Sequence, residues 1–196
     1  MEAKFQVQLE FSGLAIFDPY NLEKFCMKHK ISDPNLMDFF IKNPSIGDLA
    51  VNKGIILPIY SILAEDYNII ITDNLQNEPL SRYDLFKYGP FPLNITNNKI
   101  VISDIYALIR WDSLFYQNLQ PHKKESFSQY AIVLENGNYS VDIIGFFESE
   151  SNFGYKIILS KVDLLPSIKG DIDSFNYNVV KLVQANGRMN IMPEKH

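Results

Sequence analysis

The chain opens on a strict alternation. In residues 4–11, KFQVQLEF, the apolar Phe5, Val7, Leu9 and Phe11 alternate with the polar Lys4, Gln6, Gln8 and Glu10. A repeat of two over eight residues predicts a half-buried β-strand. Gly13 and the apolar LAIF of residues 14–17 predict a second short strand. The period then lengthens: across residues 19–30, Leu22, Phe25, Cys26 and His29 fall on one side of a helix that Pro19 can open. Ser32-Asp33-Pro34 reads as a second helix start, with Leu36, Met37, Phe40 and Ile41 as its apolar stripe. That helix should stop at Asn43-Pro44, because the residue before a proline avoids helical geometry.

From Gly54 onward the pattern turns back to strands. β-Branched runs at 55–62 and 66–72 predict two. Residues 73–90 are rich in Asn, Pro and Ser and read as a long connecting loop. Residues 91–95 and 100–102 flank TNNK and predict a hairpin, since asparagine tolerates positive φ. Ser103-Asp104 can cap a helix running from Ile105 to about Trp111. Residues 127–134 and 139–147 flank Glu135-Asn136-Gly137-Asn138, a second hairpin signal. Residues 153–159 predict the strand returning from a turn at 148–152, and 175–182 a last strand. The segment from Ala185 reads as a frayed tail of one domain spanning 1–196.

Many short strands, with helices near the start and near residue 105, and no regular strand–helix alternation, define the expected class. It is a mainly β protein, an antiparallel β-sandwich with two or three short helices inserted. A composition of 46% hydrophobic and 13% aromatic residues over 196 positions supports a packed core and excludes a disordered chain.

Charge narrows the partners. The net charge is −5, so neither nucleic acid nor an anionic membrane is the expected main partner, both of which need a basic face. No apolar run approaches the roughly 20 residues of a membrane span, and the N-terminus has no charged-then-apolar signal pattern, so a cytoplasmic location is expected. The lone cysteine excludes an internal disulfide.

Catalytic signatures are absent from the sequence: no G-x-S-x-G, no P-loop and no G-x-G-x-x-G occurs. His29, His122 and His196 share no metal-ligand spacing. Cys26 and His29, one helical turn apart, could form half a metal site or a dyad, but Cys26 lies on an apolar stripe and reads as core. Carboxylate pairs remain, at Glu65-Asp66, Glu148/Glu150 and Asp171/Asp173. They could serve glycoside hydrolysis, hold a hard cation, contact a partner, or simply be solvated. No cofactor is expected.

Residues 125–173 hold eight acidic side chains against three basic ones, whereas residues 1–124 hold 14 against 12. Glu148 and Glu150, in FESESNFGY, mark the centre of this acidic segment, and two residues apart they would share one strand face. Asp66, Asp73, Glu78 and Asp84 form a second acidic stretch. Interleaved aromatics include Phe153 and Tyr155. One-signed charge speeds association with an oppositely charged protein, and aromatic side chains anchor interfaces. The candidate partner-binding residues are therefore Glu148, Glu150, Phe153, Tyr155, Asp66, Asp73, Glu78 and Asp84.

The segments FSGLAIFD (11–18), DYNIIIT (66–72), PFPLNITNNKIVI (90–102) and GNYSVDI (137–143) together resemble the competence protein J family of bacterial nuclease inhibitors and related β-sandwich immunity proteins. That resemblance implies a non-enzymatic immunity protein or antitoxin that binds and neutralises a cognate toxin, in particular a basic nuclease. Two other classes stay open on the residues alone: a β-sandwich carbohydrate-active enzyme using carboxylates from separate strands, and a structural assembly module.

Overall fold

A computed structural model describes residues 2–73, 80–121, 129–169 and 172–185, for Asp173 the backbone only. Nine strands are described: β1 (Glu2–Gln8), β2 (Gly13–Phe17), β3 (Ile56–Tyr60), β4 (Asp66–Thr72), β5 (Asp84–Ile95), β6 (Lys99–Asp104), β7 (Gln129–Val133), β8 (Gly137–Ser149) and β9 (Asn152–Val162). Six α-helices accompany them: α1 (Pro19–Lys28), α2 (Leu36–Lys42), α3 (Pro44–Asn52), α4 (Tyr106–Ile109), α5 (Ser113–Asn118) and α6 (Val179–Ala185). The strands form two sheets, five-stranded in the order β1-β4-β9-β8-β5 and four-stranded in the order β3-β2-β6-β7. All pairs are antiparallel except β4 with β9.

The sheets face each other across one core. Val7, Tyr67, Ile69, Val141 and Ile157 from the larger sheet meet Leu14, Ile16, Leu57, Ile102 and Ile132 from the smaller. Phe5 of β1 stacks on Tyr130 of β7 with centroids 4.0 Å apart. The opposite face of the four-stranded sheet is also apolar, carrying Ala15, Phe17, Val101 and Ala131, and it packs under Leu22, Phe25, Leu36 and Leu108 of the helices. This explains why β2 is buried along its whole length, with no alternation. The layers run helices, small sheet, large sheet, so the chain is mainly β with a helical third layer.

Several expectations need correction. Neither asparagine-rich turn closes a hairpin: β5 and β8 belong to the large sheet, β6 and β7 to the small one. Each turn carries the chain from one sheet to the other. The two lie side by side, with the Asn98 amide donating to Asn136 Oδ1 at 2.7 Å and the Asn136 amide to Asn98 Oδ1 at 3.2 Å. The expected loop at 73–90 is shorter, because β5 begins at Asp84 and pairs with β8 through two register shifts; residues 74–79 lie outside the description.

Residues 44–52 are helical. Pro44 ends one helix and occupies the first turn of the next, where its missing N–H costs nothing. The expected strand at 175–182 is a loop leading into α6. Asn178 Oδ1 accepts from the Lys181 amide at 2.9 Å as a helix cap, and Val179, Val180 and Val183 bury one helical face. The capping bond and burial of one face override the β preference of the valines. The first strand ends at Gln8 rather than Phe11 because the next residues turn toward the small sheet. The tail beyond Ala185 lies outside the described residues.

Candidate partner-binding surface

Strand direction decides which acidic groups meet. Gln8 pairs with Asp66, and Asn68 lies beside Gly154, so the start of β4 adjoins the end of β1 and the turn between β8 and β9. Glu10, Glu65, Asp66, Glu148 and Glu150 are all exposed at this one end of the sandwich. They come from three separate connections: β1 to β2, β3 to β4, and β8 to β9. Arg82, also exposed here, lies over the ring of Tyr83.

The tip itself departs from a regular pleat. Phe147 pairs with Phe153 and Ser149 with Asn152, which leaves Glu148 as an extra residue on β8. A bulge breaks the alternation of faces, so the spacing of Glu148 and Glu150 no longer places them on one strand face. Asn152 Nδ2 donates to Glu148 Oε2 at 2.7 Å, and Asn68 Nδ2 donates to Asn152 Oδ1 at 3.3 Å. This short relay ties the tip to β4. Glu150 lies at the turn that follows.

The other candidates separate. Asp73 follows the last residue of β4, a seven-residue strand, and therefore lies on the order of 23 Å from Asp66. It borders a hollow with Glu135, Tyr139 and Lys161 at the opposite end. The Asp84 carboxylate is 4% exposed and accepts from Lys156 Nζ at 2.6 Å on the outer face of the large sheet. Glu78 lies outside the described residues. Phe153 and Tyr155 are core groups: Tyr67 packs against both rings, and the Tyr155 hydroxyl donates to the Tyr177 carbonyl at 2.9 Å. Their selection as surface anchors is therefore corrected. Strand alternation turns them inward, where burial pushes both tyrosines, Tyr67 and Tyr155, well above their ordinary pKa.

The exposed aromatic at this end is Phe11, 38% exposed and stacked on Tyr106 at 5.0 Å. Its loop is held by Asp104, a 2% exposed carboxylate. One oxygen accepts the Glu10 and Phe11 amides at 2.6 and 2.9 Å, and the other accepts the Tyr106 amide at 2.7 Å. Phe11 was visible in the sequence only as the last residue of an alternating strand. The buried aspartate 93 positions away, which lifts it out of that pattern, leaves no local mark.

At Cys26, burial foremost and Glu23 next push the thiol up to about 12, and the residue is core. His29 lies against Phe25 at 4.3 Å. Among the described residues no group of three or more His, Cys, Asp or Glu is placed to hold a metal ion, and no helix is long and apolar enough to cross a membrane. His122, His196 and Asp171 lie outside the described residues.

No family model matches the chain, and no curated protein matches it. Two solved structures are similar. One is ComJ from Bacillus subtilis, described as an inhibitor of the DNA degrading activity of NucA, with a TM-score of 0.46, 14% identity, and coverage of 82% of this chain and 96% of that one. The other, described as crocagin biosynthetic gene J, has a TM-score of 0.40 and 12% identity over 82% of this chain and 95% of that one. The family resemblance noted in the strand segments thus returns as a weak structural likeness, too distant to assign a role to any residue.

Proposed function

We propose that the chain is a non-catalytic inhibitor that covers a basic protein partner with the end of the sandwich built from Glu10, Glu65, Asp66, Glu148 and Glu150. The observation carrying this reading is that five exposed carboxylates from three connections lie at the same end of the sandwich as the exposed Phe11. A surface of that kind supplies long-range attraction through its charges and offers one exposed aromatic group to be desolvated. In its specific form, the partner is a bacterial toxin, a basic nuclease, as the resemblance of the strand segments implies.

The test is co-expression with the product of the adjacent gene, followed by gel filtration and a nuclease assay. A co-eluting complex with suppressed DNA cleavage is expected. In surface-binding kinetics, Glu148→Lys with Glu150→Lys should slow association about tenfold or more at low salt and shift dissociation far less. No complex, or a complex whose association ignores both the substitutions and salt, overturns the reading.

A further inference from the structure

The opposite end of the sandwich carries a feature of reversed sign. A hollow of about 500 Å³ lies between α1, the end of α3 and the end of β5. Lys24, Lys28, His29 and Lys53 line it, and among the described residues no carboxylate does. Lys24, Lys28 and Lys53 are exposed and form no ion pair with any described residue. In a chain of net charge −5 this is a local concentration of uncompensated positive charge.

Helix ends account for part of it. α1 ends at Lys28 and α3 just before Lys53, so both lysines lie near the negative ends of helix dipoles. Each such end carries roughly half a negative charge, about one in all. Three lysines exceed that by about two charges, and that excess is available to a ligand.

The hollow is also rigidly built. Gly54 has φ +65°, and a Cβ there would stand 2.8 Å from the Leu93 Cα and the Asn94 nitrogen. Its carbonyl accepts the Asn94 amide at 2.8 Å, which clamps the end of α3, and with it Lys53, against β5. Asn21 Nδ2 donates to the Asn94 carbonyl and Oδ1, both at 2.9 Å, and Asn94 Nδ2 donates to Asn138 Oδ1 at 2.7 Å. These amides fix α1 to the same strand. Leu49, 36% exposed, gives the wall an accessible apolar part beside the buried Phe25 and Ile55.

From these features we infer that the hollow binds a small phosphate-bearing ligand with a flat apolar portion, of the size of a mononucleotide. Lys28 and Lys53 meet the phosphate and the wall at Leu49 takes the ring. Its volume falls within the roughly 300–1,000 Å³ usual for small-molecule sites. This inference is independent of the partner-binding proposal, since the two surfaces lie at opposite ends.

Titration calorimetry of the full chain with AMP, pyrophosphate and adenosine tests it. AMP should bind more tightly than either of the others, and Lys28→Gln with Lys53→Gln should weaken it about tenfold or more. Lys42→Gln, whose partner is Asp38 on α2, should leave it unchanged. Absence of AMP binding at millimolar concentration, equal loss in the Lys42→Gln control, or adenosine binding as well as AMP, would each overturn the proposal. Thermal melts of both variants confirm that binding is compared on folded protein.

Discussion

The two ends of the sandwich are each organised by one buried aspartate, and the contrast between them shows how similar devices present opposite charge. At one end Asp104 gathers the amides of Glu10, Phe11 and Tyr106 and so presents an acidic loop with an exposed ring. At the other, Asp18 is fully buried and works in two directions. One oxygen caps α1 through the Tyr20 and Asn21 amides, at 2.8 and 3.2 Å; the other accepts from the Thr96 amide and hydroxyl and the Asn97 amide, at 2.7, 3.1 and 3.0 Å. That arrangement fixes a helix whose last turn brings lysine to the surface. In both places the negative charge inside is structural, surrounded by N–H donors, and the charge outside is set by which loop it holds.

The largest effect should come from Asp18→Ala. Five donors lose their acceptor and α1 loses its cap, for a loss of about 3–5 kcal/mol in urea unfolding. Asp104→Ala removes three such bonds and should cost about 2–3 kcal/mol. The pair sharpens the contrast if they also divide by function. Asp104→Ala should free the Glu10–Phe11 amides to exchange and weaken partner association, while Asp18→Ala should disturb AMP binding and leave association nearly intact. Equal effects of both on both readouts would break the two-ended description.

A second test uses pH. Burial is the foremost cause holding Tyr116 and Cys26 up to about 12, from ordinary values of 10.0 and 9.0. Tyr67, Tyr155 and Tyr177 are raised likewise. The unfolded chain releases these protons first, so the folded state retains more of them between the two values. Their contribution is complete below about pH 9 and falls as pH rises toward 12. The urea midpoint should therefore decline across that window, and part of the tyrosinate absorbance should appear only when the chain unfolds. Early ionisation in the folded state would show that these rings are reached by solvent.

The smallest effect belongs to the exposed tip. Glu148→Lys with Glu150→Lys should move stability by no more than about 0.5 kcal/mol, read from the same unfolding curves. A large loss would make the tip a structural element and remove it from the contrast.

Much of the strand content was legible because alternation is local: β4 runs over residues 66–72 as its pattern predicted, and α1 starts at Pro19 behind Asp18. The acidic character of residues 125–173 was equally plain. The helix at 44–52 was hidden because proline marks an end and a beginning with the same residue. The helix at 179–185 was hidden because three valines bury equally well in either geometry. The asparagine turns show the limit most clearly. Their chemistry fixes a reversal of the chain, but the sheet that receives the next strand depends on partners tens of residues away.

The sequence by itself determined a β-rich chain, acidic overall, with Glu148 and Glu150 at a turn. Only the tertiary structure brought Asp66, Glu65 and Glu10 to the same end of the sandwich as that turn, sent Phe153 and Tyr155 inward, moved Asp73 to the far end, and gathered three lysines around one hollow. The reason is physical: backbone propensity and patterning act over a few residues, whereas the position of a charge relative to another is set by strand register and sheet order, which long-range burial decides.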